Sequence, residues 1–466
     1  MPSKDLHQFV TCLESAGELA RIAAAADPLL EIAAITDRVC KQPGGGKALL
    51  FEQPCGSHFP VATNLFGSPR RVCQALGIEH LDCLAQRMAA LLALIPNPDL
   101  ACLDRQIAAL PEFSRFAPRT VAGNDPDLVA MTTPDLATFP FLQNWAGDGA
   151  ACGQPRYITL PQVFTALPDN SSPNCGMYRC QVRGPRELAV RWNPGSGAAR
   201  HLDEFRRRNE PMPVAIALGG PPAALFSAMF PLPGDLDEMA FAGFLREEAI
   251  ALAACRTVPL RVPLSCEVLI EGYVTPGATA LEGPFGNHTG SYSPAGPAAP
   301  MRVTAISHRP AAIIPATVVG PPPMEDCWMA KAWERLLLAL LQRFLPDIKE
   351  LHFPLEWIFH QSAIISLAHP TPGMVRETAE RLWAMPWFSA ARLLLFIDAE
   401  SPAADFSEMA WRCINLTEFS HDAFQDHSGK RLALDATGSR IPQHRVNRED
   451  NTRQLVAQRW PEYGID

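Results

Sequence analysis

A mixed α+β and α/β chain of several domains is predicted by three features of the sequence. Its 466 residues exceed what one ordinary core organises, and 47% of them are hydrophobic, ample for burial. Helix-period segments flank a central series of short β-rich runs. The first element places Leu6, Phe9, Val10 and Leu13 at helical spacing and stops at Gly17, a glycine C-terminal signal. Leu30 to Cys40 reads as a second helix, and Ala48 to Phe51 and Pro60 to Phe66 as short strands, the latter ending at Gly67. These form an N-terminal α/β module over residues 1–110.

Residues 110–156 are rich in Pro, Asp and Gly with little periodicity, which predicts a long connection wrapping a neighbouring domain. Short β-rich runs follow at Tyr178 to Val182, Glu187 to Trp192, Val214 to Leu218, Cys266 to Tyr273 and Ala312 to Val319, separated by glycine and proline. They predict a barrel or compact sheet within residues 111–323, with a helical insertion at Glu238 to Ala254. Behind Pro321-Pro322-Pro323, leucines at helical spacing from Met324 to Phe344 predict a linking helix over 324–345. Strands at Ala363 to Leu367 and Leu393 to Asp398 alternate with helices at Val375 to Met385 and Phe406 to Asn415, a second α/β unit over 346–466.

The formal charge of -9 comes without a long basic tract, which argues against a nucleic-acid partner and against a membrane-surface helix. The most apolar stretch, Val214 to Pro233, is broken by Gly219-Gly220-Pro221-Pro222, so no integral membrane segment is expected. Thirteen cysteines without a CxxC pair, and no charged leader before an apolar run, predict free thiols and a cytoplasmic location. The partner class left is a small molecule.

Chemistry concentrates in two motifs, Glu282-Gly-Pro-Phe-Gly-Asn287-His288-Thr-Gly290 and Asn174-Cys-Gly176-Met177-Tyr-Arg179. An arginine beside a glutamate can hold a substrate carboxylate and set the protons around it, while the glycines and Pro284 admit a ligand closely. The bland alternative is a structural ion pair bracing two strands. Asn174 and Glu238 are oxygen donors of the kind hard divalent ions take alongside a phosphate, but each also reads as a turn residue or a helix first-turn acid. His288 and His360 are acid/base candidates, or satisfied structural histidines. Gly219 to Pro222 reads as a rigid turn because its prolines lack the amides of a phosphate loop, and Cys175 and Cys180 read as inert buried thiols. No G-x-G-x-x-G or G-x-S-x-G motif is present.

On these motifs, together with Asn64 to Gly67, Pro213 to Gly219, Phe241 to Arg246, Glu271-Gly-Tyr273 and Leu434-Asp-Ala-Thr437, the chain resembles the UbiD family of carboxy-lyases along nearly its whole length. The resemblance implies a flavin-reductase-like split β-barrel at the centre and a C-terminal oligomerisation domain. It implies reversible decarboxylation of an aromatic, heteroaromatic or α,β-unsaturated carboxylic acid through prenylated FMN, with CO2 as co-product. Also implied are a flavin prenyltransferase as cofactor supplier and a homodimer or higher homo-oligomer.

Carried over by position, Arg179, Glu282, Asn287 and His288 are the expected catalytic set. Asn174, Gly176, Met177, Pro231 and Arg392 are expected to bind the cofactor. Asn174 and Glu238 would hold Mn2+ (or Mg2+), with K+ nearby. Three positions depart from the family pattern: Gly195 stands where a metal-binding histidine is usual, with Asn193 or His201 as substitutes, Asn287 where an acidic proton donor is usual, and Arg392 where a phosphate-binding lysine is usual. The rival reading is a non-catalytic or regulatory paralogue that binds a mononucleotide or partners an active homologue.

Overall fold

The computed structural model describes residues 2–439 and 449–464 and is a mixed α+β fold around three main sheets. Leu6–Ser15 is helical because Leu6, Phe9, Val10 and Leu13 form one buried stripe and Asp5 caps the amide of Gln8. The first sheet runs Leu19–Ile22, Ala48–Phe51, Val61–Thr63 and Ile314–Pro315. Its last strand differs from expectation: the 312–319 run joins the N-terminal sheet, parallel to Val61–Thr63, instead of the central one. The chain turns where Ala312 N–H bonds Arg309 O, and Ala316 N–H then bonds Ala62 O.

The central sheet has ten strands and curls into a half-barrel. Its path is Tyr157–Ile158, Cys180–Gly184, Glu187–Val190, Gly296–His308, Val268–Val274, Met212–Leu218, Gln162–Thr165 and Asn174–Gly176, with Ala280–Glu282 and Val129–Ala130 paired to Gly296–His308. Met212–Leu218 is buried on both faces, as its unbroken apolar run requires. The expected helix from Glu238 to Ala254 is shorter. It spans Glu238–Arg246 and ends where Glu247 turns left-handed (φ 58°), and Ala251–Ala254 becomes a strand between Arg261–Pro263 and Arg119–Thr120. The 110–156 segment wraps the central sheet through short pairings, including Met131 N–H to Ile306 O.

The linking helix, Glu325–Phe344, is buried nearly all round, which explains its leucine-rich sequence. It packs against the Asp82–Ala93 helix and the Ile348–His352 strand. The C-terminal sheet has the order Ile348–His352, Ser362–Leu367, Leu393–Asp398, Leu432–Asp435, Ala423–Gln425, with the middle three parallel and the Met374–Ala384 helix between them in sequence. Phe9 stacks on Phe66 at 5.3 Å and Phe66 meets Phe226 edge-on at 5.1 Å, joining the N-terminal module to the Pro222–Met229 helix.

Candidate active site

The ends of three sheet strands converge on one carboxylate. Cys180 lies opposite Val190 in an antiparallel pair, so Arg179 and Arg191, the residues just beyond each, emerge side by side. Ala280–Glu282 pairs with the start of the Gly296–His308 strand, whose Ala299 faces Val190. Arg179 donates from Nε to Glu282 Oε1 at 2.8 Å and from Nη2 to Oε2 at 3.0 Å, and Arg191 Nη1 donates to Oε2 at 3.0 Å. The Glu282 side chain is 0% exposed. Two guanidiniums on one buried carboxylate leave an excess positive charge at the rim, where an incoming anion is attracted. The Arg179 guanidinium also lies over the Phe285 ring, 4.6 Å from its centroid.

The loop after Glu282 is pinned from below. Asp148 accepts from Gly286 N–H at 2.8 Å and from the amides of Asn144 and Trp145 at 3.1 and 2.9 Å. Burial pushes the Asp148 carboxyl above its ordinary value, against the pull of those amides. A Cβ at Gly286 would stand 2.2 Å from the Trp145 indole, so glycine is required there by close approach. Asn287 is committed to its own turn: Nδ2 donates to Ser293 Oγ at 2.9 Å, and Oδ1 accepts from Thr289 N–H at 2.8 Å and Thr289 Oγ1 at 2.7 Å. Its neighbour His288 instead places Nδ1 3.4 Å from Asp326 Oδ2 at the start of the linking helix, with the His360 ring 5.4 Å away.

A cleft of about 270 Å³ opens between the central sheet, the linking helix and Phe359, with Met177, Arg179, Arg191, Met229, His288 and Asp326 among its walls. That volume is near the lower end of ligand sites, roughly 300 Å³. Its lining combines apolar side chains such as Met177, Met229 and Phe285 with Arg179 and Arg191, a mix that suits a conjugated ring carrying polar groups. Of the residues expected to bind a cofactor, Met177 lines this cleft, and Gly176 lies under Tyr178, where a Cβ would come within 2.3 Å of the ring. Pro231 is exposed and its carbonyl accepts Trp387 Nε1–H at 2.8 Å, tying the C-terminal unit to the rim. Arg392 is exposed at the start of the Leu393–Asp398 strand and is not among the lining residues.

Asn174 and Glu238 both line a separate cavity of about 480 Å³. Cys175 N–H donates to Glu238 Oε2 at 3.0 Å, and burial nonetheless pushes the Glu238 carboxyl up to about 8. Asn174 Nδ2 is buried without a partner, and a Cβ at Gly197 would overlap Asn174 Oδ1. Burial pushes the Tyr178 phenol up, partly offset by the nearby Ser196 side chain, which caps the Gly197–Arg208 helix. Gly195 sits at φ 81° in the preceding turn with open space around it. His201 is not among the residues lining this cavity, and its Nδ1 lies 2.9 Å from Oγ1 of Thr165, which does line it. Asn193 lines the first cleft. Among the described residues no three His, Cys, Asp or Glu side chains gather as a metal set. Two oxygen donors do not make a protein-built divalent site.

Sequence reasoning passed over Arg191, Asp326 and Asp148. The available signal for Arg191 was its place at the end of a strand beside Trp192; Asp326 and Asp148 carried none, since their roles depend on contacts across more than thirty residues.

Three family profiles match the chain: 3-octaprenyl-4-hydroxybenzoate carboxy-lyase N-terminal domain over residues 10–91, the Rift-related domain over 120–322 and the C-terminal domain over 327–448. An uncharacterized protein of Archaeoglobus fulgidus is 35% identical over 453 residues, covering 94% of this chain and 92% of its own. One from Aquifex aeolicus is 37% identical, covering 93% and 92%. Among solved structures, an evolved dimeric form of the UbiD-class enzyme HmfF from Pelotomaculum thermopropionicum, in complex with prFMN, superposes with TM-score 0.81 at 25% identity, covering 98% of this chain and 100% of that one. Vanillic acid decarboxylase of Sedimentibacter hydroxybenzoicus superposes with TM-score 0.83 at 21% identity over 100% of both chains, a likeness of fold.

Proposed function

The chain belongs to the UbiD family of carboxy-lyases, and we propose on that footing that it decarboxylates an aromatic, heteroaromatic or α,β-unsaturated carboxylic acid, reversibly, with prenylated FMN in the cleft beside Arg179. The observation that carries this reading is the Arg179–Glu282–Arg191 cluster at the rim of a mostly apolar cleft. Prenylated flavin, when bound, supplies an electron sink for the pair released as CO2 leaves. The chain's own residues do the rest. Arg179 and Arg191 present the excess positive charge that docks a substrate carboxylate, and Glu282 fixes both guanidinium planes so that little reorganisation accompanies docking. Met177 and Met229 offer soft apolar surface to a conjugated ring.

A flavin prenyltransferase as supplier, a cytoplasmic location and a homo-oligomer complete the proposal. No helix among the described residues is long and apolar enough to cross a membrane. Mn2+ or Mg2+ with K+ belongs to the family-based expectation, and Asn174 with Glu238 is where the chain offers oxygen donors toward it. The incomplete donor set and the engagement of Asn287 in its own turn favour the second reading, a mononucleotide-binding paralogue without turnover.

Co-expression with a flavin prenyltransferase, followed by absorbance spectroscopy and CO2 assay over a panel of conjugated acids, separates the two. Glu282→Gln is expected to lower CO2 release by about 10²-fold or more while flavin uptake persists. Undiminished turnover in that variant would remove Glu282 from the mechanism.

A further inference from the structure

Decarboxylation needs a proton for the carbon that loses its carboxylate, and the cleft contains few groups able to supply one. Glu282 uses both oxygens to accept from guanidiniums. Asn287 is an amide bound within its own turn and does not line the cleft. Burial pushes the Tyr178 phenol above its ordinary value, and arginine does not titrate in this range. His288 lines the same cleft as Arg179, with Nδ1 3.4 Å from Asp326 Oδ2.

We propose that His288 is the catalytic proton donor of this chain and that Asp326, presented by the first turn of the linking helix, is its positioning residue. The proposal rests on the decarboxylase reading above and deepens it. Asp326 against Nδ1 fixes the ring and leaves Nε2 as the exchanging nitrogen, as in other carboxylate–histidine pairs. The bond between the substrate carbon and its carboxylate breaks, CO2 departs, and the electron pair stays with the organic fragment. The Nε2 proton of the imidazolium then forms the new C–H bond, and the imidazole regains a proton from water. Run backwards, neutral His288 takes the proton that carboxylation displaces.

The groups facing His288 agree with this role. Asp326 places a carboxylate against the ring, and Arg179 and Arg191 line the same cleft. Tyr178 lines the same cleft, the Phe359 ring lies 5.9 Å from the imidazole, and the His360 ring is held neutral because burial lowers it to about 4.

Two measurements test the proposal. In the protein without cofactor, 15N NMR of the His288 ring should show a changed Nδ1/Nε2 tautomer signature in Asp326→Asn, the loss of the carboxylate that holds Nδ1. An unchanged tautomer signature overturns the positioning role. In flavin-loaded enzyme, His288→Gln should lower steady-state turnover by about 10²–10⁴ and remove the loss of kcat at rising pH, while first-turnover CO2 release and flavin binding are retained. His288→Gln with wild-type turnover and pH profile overturns the proposal alone. A wild type that takes up flavin but releases CO2 from no conjugated acid overturns the functional reading, and the proton-donor role with it.

Discussion

Arg191 and Arg179 grip the same buried carboxylate from neighbouring strands, and only one of them was recognisable in advance. Arg179 stands in a motif with Asn174 and Gly176, whereas Arg191 ends an ordinary β-run and acquires meaning from the register that sets Val190 against Cys180. Removing it strips one charge-assisted bond from Glu282 and the excess charge from the rim. Arg191→Met is expected to destabilise the fold by about 1.5–3 kcal/mol in urea unfolding and to raise the KM for any carboxylate substrate. A variant with unaltered KM would assign the docking charge to Arg179 alone. Asn287 shows the reverse case. Its place in the motif was readable, but its side chain closes a turn through Thr289 and Ser293, a local preference of asparagine that chain-wide pattern matching does not weigh.

The linking helix is the element most legible in the sequence, expected over 324–345 and found at Glu325–Phe344, because proline fixed its start and a leucine period ran its length. The Glu238 helix was overextended because its apolar run continues past Glu247, where the left-handed cap redirects the same composition into a strand. The linking helix also carries a buried acid at its first position. Glu325 accepts Phe66 N–H at 2.8 Å, and burial raises its carboxyl from the ordinary 4.5 to about 7. The folded state therefore holds this proton more tightly than the unfolded chain does. Its contribution is complete below about 4.5 and is lost as pH rises through 7, on the order of 3 kcal/mol. Thermal midpoints of the wild type should fall between pH 5 and 8, and Glu325→Gln should flatten that slope. A slope equal in both proteins would show that Glu325 is not its source.

At the scale of the whole molecule, large apolar side chains gather on the outside of the C-terminal unit. Trp411 is 51% exposed, Ile414 73% and Phe419 61%, on or just after the Phe406–Asn415 helix. A single exposed leucine needs no explanation, but three neighbouring large residues are the surface expected where the proposed homo-oligomer forms. Trp411→Glu with Ile414→Glu should shift the protein to a smaller species in size-exclusion chromatography with light scattering, leaving far-UV circular dichroism unchanged. An unchanged oligomer would place self-association on another face.

Periodicity and glycine and proline positions determined, without any coordinates, that this chain is a multi-unit α+β protein, and two short motifs singled out Arg179 and Glu282. Those signals are local, because each depends on residues within a helical turn or a strand's length. What tertiary structure decided is non-local: that strand ends about a hundred residues apart close on one carboxylate, that the 312–319 run crosses to the first sheet, and that His288 meets Asp326. Strand register and helix docking set those meetings through burial summed over the whole fold, a quantity that no short stretch of the chain contains.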